Sequence, residues 1–337
     1  MNLKFNRRNI LFSAIGIISG ILAIGAKRRR EAIASRRGNK LTASMVISSN
    51  SDRDSNLGGS VSNKDLKVLS TKFDTPQALR NWQEFQVEGW VPKWEPPRIE
   101  KGKLVLQPRS SGWFEDNYAG HLYREIDGDF IITTRINVRG TKSPVPQRSF
   151  SLAGIFIRTP REFTKDSWKL KGENWMFFST GTAFPAGKPH FEIKSTYNSI
   201  STLKISEAPT GWLRLRVARS GELFTLLYQE DTSQEWKVID QFIRPDLPQR
   251  LNVGLTAYAD WDSLATDYPN YRQYNEQGAT TQNADLIAYV ESIDFRRPVT
   301  PRFSLKPLIF RAFSYNGLAL LNSSLLIDND DRHDAVT

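Results

Sequence analysis

Between Gly211 and Tyr258 the chain alternates large apolar and polar residues with a period of two, and it does so in several consecutive runs. Leu213, Leu215 and Val217 alternate with Arg214 and Arg216, which is what a strand with one buried face requires. Ser220-Gly221 turns the chain into Leu223–Tyr228, where Phe224, Leu226 and Tyr228 share a face. Trp236, Val238 and Phe242 form a third run, and Leu251, Val253, Leu255 and Ala257 a fourth. Four consecutive antiparallel strands of this kind predict an all-β, two-sheet sandwich.

The rest of the chain extends the pattern. Lys101-Gly102-Lys103 between Ile99 and Leu104–Leu106 reads as a hairpin. Asp127-Gly128 reads as a turn into a long strand that carries Phe130, Ile132, Thr134, Ile136 and Val138 on one face. Ser149–Arg158, Asn174–Ser179, Phe191–Lys194, Ser201–Ile205 and Leu286–Phe295 add further strands, about twelve in all at sandwich spacing. Pro96-Pro97 predicts a strand end, because neither residue can donate to a ladder. No stretch between these strands shows a helical period of useful length, and the one helix expected is a hydrophobic one in the N-terminal segment that precedes the sandwich.

Four segments follow from composition: a signal or anchor at 1–30, a flexible linker at 31–64, the β-sandwich at 65–300, and a C-terminal extension at 301–337. The formal charge of +10 is misleading until it is located. Ten of the 46 basic residues but only one of the 36 acids, Glu31, fall in the first forty positions, leaving 36 basic against 35 acidic residues elsewhere. The sandwich is near neutral and lacks the clustered cations that phosphate backbones need, so nucleic acid is not an expected partner. There is no Cys, which excludes disulfides and thiolate metal sites.

Ile10–Ala26 is uncharged and follows Lys4, Arg7 and Arg8. Seventeen residues lie at the short end of what spans a bilayer. The paired arginines before Ile10-Leu11 are similar to a twin-arginine export signal, with small residues at Ala23, Gly25 and Ala26 for cleavage. The dense charge at Lys27–Arg30 opposes translocation. The expectation is an exported or membrane-anchored, extracytoplasmic protein, attached to the membrane through this segment. Ser48–Asn56 and its surroundings hold too little apolar surface to fold alone, as befits a tether. In the extension, an apolar stretch (Phe303–Leu326) precedes an acidic one (Asp328–Asp334), suited to strapping across the sandwich or to docking a partner.

Three groups of residues occur in an order that resembles a known superfamily. They are Gly128-Asp129-Phe130; Ala153-Gly154-Ile155-Phe156-Ile157-Arg158; and Trp212 to Arg216 with Gly221, Phe224, Tyr228, Trp236 and Val253-Gly254-Leu255. Together they resemble the concanavalin A-like lectin/glucanase superfamily, in the jelly-roll branch similar to the β-xylosidase C-terminal domain and the regulation-of-enolase-like proteins. The resemblance covers roughly Leu66–Pro298 and implies a jelly-roll sandwich. One sandwich hosts lectins, hydrolases and inert modules, so it does not by itself choose among them.

Glycosidases of the superfamily carry Glu-x-Asp-x-x-Glu on one strand, placing two acids on one face for protonation and attack. Here Glu125-Ile126-Asp127-Gly128-Asp129-Phe130 begins the motif and puts Phe130 where the last Glu belongs. A turn entering a strand accounts for it better. Candidate binding residues lie elsewhere. Arg135, Arg158, Arg214 and Arg216 fall opposite the apolar faces of their strands, with Trp175 beside them or in the core. If those strands are neighbours, their guanidinium forks line one concave face. Tyr258, Trp261 and Asp262 open a long polar loop reaching Asn283, and Trp113 opens a second aromatic-acidic loop through Phe114, Glu115, Asp116 and Tyr118. Asp260, Asp262 and Asp267 offer the oxygen ligands that calcium takes, the one cofactor the sequence leaves open. His121 and His190 lack a zinc spacing.

These residues favour a non-catalytic module binding carbohydrate, a glycoconjugate or a similar extracytoplasmic ligand. A glycoside hydrolase of the same fold and a structural or protein-interaction module are the alternatives.

Overall fold

The computed structural model describes residues 64–298. The expected anchor (1–30), nearly all of the linker (31–64) and the extension (301–337) lie outside the described residues. Within them, fifteen strands follow in order: β1 (Thr71–Lys72), β2 (Gln83–Glu84), β3 (Trp94–Glu100), β4 (Lys103–Pro108), β5 (Gly120–Asp127), β6 (Phe130–Arg139), β7 (Ser151–Arg158), β8 (Trp175–Thr182), β9 (His190–Tyr197), β10 (Ile200–Glu207), β11 (Trp212–Ser220), β12 (Leu223–Glu230), β13 (Lys237–Ile243), β14 (Arg250–Tyr258) and β15 (Ile287–Arg296). The helices are short: α1 (Lys64–Lys67), α2 (Trp261–Leu264) and α3 (Tyr271–Gln277).

The strands form the expected two-sheet antiparallel sandwich. One sheet runs β13-β12-β11-β6-β15-β4-β3, with β1 also on β15, and the other runs β10-β9-β8-β7-β14-β5-β2. Alternation decides the faces. Phe130, Ile132 and Ile136 of β6 and Leu213, Leu215 and Val217 of β11 point inward, against Ala153, Ile155 and Ile157 of β7 and Leu251, Val253 and Leu255 of β14. These side chains are almost wholly shielded from water, the Phe, Ile, Leu and Val among them each contributing about 1.5–3 kcal/mol for apolar burial.

Three details depart from the sequence pattern. The fourth run, β14, leaves the sheet of β11–β13 and pairs with β5 and β7 in the other. Pro96-Pro97 do not end a strand, because β3 is the outermost strand and slips register between Glu95 and Arg98, so no neighbour needs the missing donors. Val238 and Phe242 do not share a face: a register shift opposite Leu226/Leu227 leaves Val238 exposed while Phe242 packs on the core. The Lys101-Gly102 hairpin forms, both residues taking the left-handed backbone that a tight two-residue turn demands.

The part of the second sheet made by β7, β8, β14, most of β9 and the first half of β5 is buried on both sides. Every residue of β7 and β8 is buried. Their outward side chains Leu152, Phe156, Trp175 and Phe177 join Trp113, Tyr118, Trp168 and Tyr258 in a second apolar layer, with Phe85, Trp90, Phe163 and Tyr271 packed on it. Long connections close over a sheet face that would otherwise meet water.

Candidate functional site

Two ionic clusters are sealed beneath these connections. Arg158, at the end of β7, donates two hydrogen bonds to Glu173 (Nε to Oε2 2.9 Å, Nη2 to Oε1 3.0 Å), and both side chains are at most 2% exposed. Arg161 adds a bond of 2.8 Å and the Tyr118 hydroxyl one of 2.7 Å to the same carboxylate. Trp168 Nε1 donates to Tyr118 at 3.1 Å, and the Arg158 guanidinium lies 4.6 Å from the Phe85 ring. Burial alone would push the Glu173 carboxyl up, but Arg158 and the converging donors hold it below the usual carboxylate range. Tyr118 is pushed above the ordinary phenol value by burial and then by the Glu173 charge.

The second cluster uses β9 and β14. Lys194 Nζ lies 2.7 Å from Glu192 and donates to the Tyr258 hydroxyl at 2.6 Å and the Trp113 carbonyl at 3.1 Å, which occupies its three protons. The Tyr258 hydroxyl in turn donates to Glu192. Burial lowers Lys194, opposed by Glu192, and burial raises Tyr258 well above its usual value.

At the rim of the covering connections, rings and a carboxylate remain half-open to solvent. Glu115 accepts from Tyr268 at 2.7 Å and also from Tyr271. Phe114 meets Trp261 at 5.3 Å and Tyr268 at 5.9 Å between ring centres, and Trp261 meets Tyr268 at 5.7 Å. Burial and the Glu115 bond push the Tyr268 hydroxyl up to about 12, so at neutral pH it is a donor. Beside this patch Arg148 bonds the fully buried Asp260 at 2.7 Å and reaches Asp262 at 3.7 Å.

The sequence candidates therefore fall into three places. Arg158, Trp175, Tyr258 and Trp113 come together on the covered sheet face, sealed from solvent. Trp261 and Asp262 stand at the rim. Arg135, Arg214 and Arg216 lie on the outer face of the other sheet, where β6 and β11 pair directly. The four arginines thus do not share a concave face, because β7 and β6 belong to opposite sheets. Arg135 is held by Asp231 (2.8 and 2.9 Å) and by Glu291, and its guanidinium lies 4.5 Å from Trp212. Arg214 bonds Gln229 at 3.2 Å, and Arg216 bonds Thr133 at 2.9 Å and lies 3.8 Å from the Trp236 ring.

The calcium candidates are divided as well. Arg148 supplies the positive charge between Asp260 and Asp262, while Asp267 accepts from the Thr280 amide and hydroxyl at 3.0 and 2.9 Å. Among the described residues no group of three His, Asp or Glu is placed to hold a metal. Glu125 and Asp127 end β5, both exposed, and Asp127 is paired with Arg250 at 3.1 Å.

Glu173, Glu192, Lys194 and Tyr271 were not legible as site residues. The one available signal was Glu192 and Lys194 two apart, alternating with Phe191 and Ile193, which places both charges on one face.

The covering connection is anchored by Lys93. Its Nζ donates to the carbonyls of Tyr274 (2.8 Å) and Asn275 (2.9 Å) near the C-terminal end of α3, and burial, then Arg109, lowers it to about 7. The unfolded chain holds that proton up to about pH 10.4. Between pH 7 and 10 the unfolded state binds more protons, so folding stability rises with pH there and carries the full burial penalty below 7. Lys194, also lowered, acts in the same direction. Urea midpoints measured from pH 6 to 9.5 should climb, and Lys93→Met should remove the part of the climb that begins near pH 7; an unchanged profile would contradict the buried anchor.

Neither a protein-family model nor a curated protein matches this sequence. Solved structures with a similar chain path include a functionally unknown protein from Saccharomyces cerevisiae (14% identity, 66% of this chain and 99% of that one, TM-score 0.44). They also include a xylan β-1,4-xylosidase from Bacillus halodurans C-125 (13% identity, 77% and 42%, TM-score 0.44). A third is the exoplasmic/lumenal domain of VIP36 in its Ca2+/Man3GlcNAc-bound form (12% identity, 70% and 90%, TM-score 0.42). The chain spans 42% of the xylosidase's length.

Proposed function

We propose that this protein is a non-catalytic module that binds carbohydrate or a glycoconjugate at the rim formed by Phe114, Trp261 and Tyr268 around Glu115, with Asp262 alongside. The observation that carries this reading is the half-exposed ring cluster built around one carboxylate, beside a sheet face that is otherwise sealed. Ring faces pack against the C–H faces of sugars, and fixed carboxylates accept from sugar hydroxyls. The buried acids support binding over hydrolysis. Glu173 is held low by two guanidinium groups, whereas a general acid must be raised, and Glu192 is occupied by Lys194 and Tyr258. Trp113, Arg158, Trp175 and Tyr258 act in this reading as the floor that keeps the rim rigid. The module works outside the cytoplasm, delivered or anchored by its N-terminal segment, which subcellular fractionation with N-terminal sequencing tests.

A glycan array with the full chain should show bound sugars, and Trp261→Ala should weaken the best of them by about 10–30-fold, equivalent to about 1.4–2 kcal/mol. Tyr268→Phe, which keeps the ring, should cost much less than Tyr268→Ala. Chelator should leave binding unchanged, since Arg148 takes the cation's place between Asp260 and Asp262. A blank array overturns the reading.

A further inference from the structure

At one end of the sandwich lies an open groove of about 540 Å³ lined by Tyr197, Ile200, Thr202, Arg244 and Pro245 among others. Tyr197 and Ile200 are 61% and 54% exposed, and Ile243, next to Arg244, is 54% exposed. Tyr197 and Ile200 line the groove itself, and large apolar side chains this open on one concave surface make it a candidate for docking. The groove runs along the start of β10, the outermost strand of its sheet, whose far edge leaves alternate backbone groups without a strand partner. Arg244 is not the attraction: its guanidinium is already bonded to Asp246, Ser195 and the carbonyls of Trp175 and Thr196.

We propose that the groove and the β10 edge receive this chain's own C-terminal segment around Leu308-Ile309-Phe310 and Phe313. The position where the described chain stops supports this occupant. Arg297 donates to the carbonyls of Asp127 and Asp129, and Gly128 bonds Gln249. The chain thus leaves at the β5–β6 turn. Register places that turn at the same end of the sheet as the groove: Asp127 faces Arg250, Asn252 faces Arg158, Arg158 faces Trp175, and Trp175 faces Thr196 beside Tyr197. From β5 to β10 is five strand spacings, about 24 Å at ~4.8 Å each. The eleven residues from Arg297 to Leu308 reach about 36 Å when extended. The segment is apolar where the groove is apolar, and extended pairing along an open edge satisfies its backbone.

The chain contains no Cys, so an introduced pair reports without interference. Thr202→Cys with Phe310→Cys, or with Ile309→Cys one register along, should form a disulfide within single chains under mild oxidation, independent of protein concentration. Thr202 is exposed, so the substitution leaves the fold intact. In the full chain the amides of Ile200–Glu207 should exchange about 10-fold more slowly than in a Leu308→Asp/Phe310→Asp variant. Cross-links found only between chains would assign the groove to a second copy and overturn the proposal. No cross-link, with unchanged exchange, would overturn it equally.

Discussion

Glutamine in place of Glu173 is expected to lower the free energy of unfolding by about 3–5 kcal/mol, the usual cost of removing one partner from a buried ion pair. The geometry makes the upper part of that range reasonable. Arg158 is buried and finds both of its carboxylate bonds at Glu173, so the variant leaves a guanidinium with no counter-charge among Phe85, Trp113 and Tyr118. Arg161, at 23% exposure, can turn towards water, whereas Arg158 cannot. A double variant, Arg158→Met with Glu173→Met, should recover most of the loss, because well-packed apolar residues replace buried ion pairs at little cost. The pH dependence carries a sign. Since Glu173 is held below its ordinary value, its stabilisation is complete above about pH 4.3 and fades as pH falls through the folded value. Urea denaturation at pH 7 and pH 3 should therefore show a large difference between wild type and Glu173→Gln at the first and a smaller one at the second. A loss under about 1 kcal/mol at pH 7 would mean that this pair does not hold the covering connection down.

The same pair shows where sequence reasoning stops. The strands of the inner core were legible because β6, β11 and β14 each put large apolar residues on one face and mostly polar or small ones on the other, so their alternation survives in the residues. β7 and β8 were harder: Trp175-Met176-Phe177-Phe178 is apolar on both faces, and such a run does not say what covers its second side. The answer lies in contacts between distant residues. Glu115 meets Tyr271 across 156 positions, and Tyr118 meets Glu173 across 55. No local pattern encodes these meetings. The helices were missed for a related reason, since α2 and α3 span four and seven residues and neither completes enough turns for a period to register. Trp261 and Asp262 were legible as loop residues beside a core strand. That Arg148 would pair with both Asp260 and Asp262 was not.

Alanine at Gly254 should prevent folding or lower stability by more than about 3 kcal/mol. The expectation rests on close approach alone, because Gly254 sits mid-strand in β14, directly opposite Tyr123. An ideal Cβ there would lie 2.0 Å from the Leu122 carbonyl oxygen and 2.7 Å from the Tyr123 Cα. Both are backbone atoms of β5, so no side-chain rotation relieves the clash. Strand β5 would have to move, and with it His121 and the sheet face beneath Trp113. Overpacking a core ordinarily costs about 1–3 kcal/mol when side chains adjust; here the obstacle is the ladder itself. Asn252→Ala, two residues along on the same face, is the control. The Asn252 side-chain oxygen is buried without a hydrogen-bond partner, so removing it should change stability by less than about 1 kcal/mol. Thermal and urea unfolding of the two variants side by side would separate them, and near-wild-type stability of Gly254→Ala would show that β5 and β14 are not packed as closely as 2.0 Å demands.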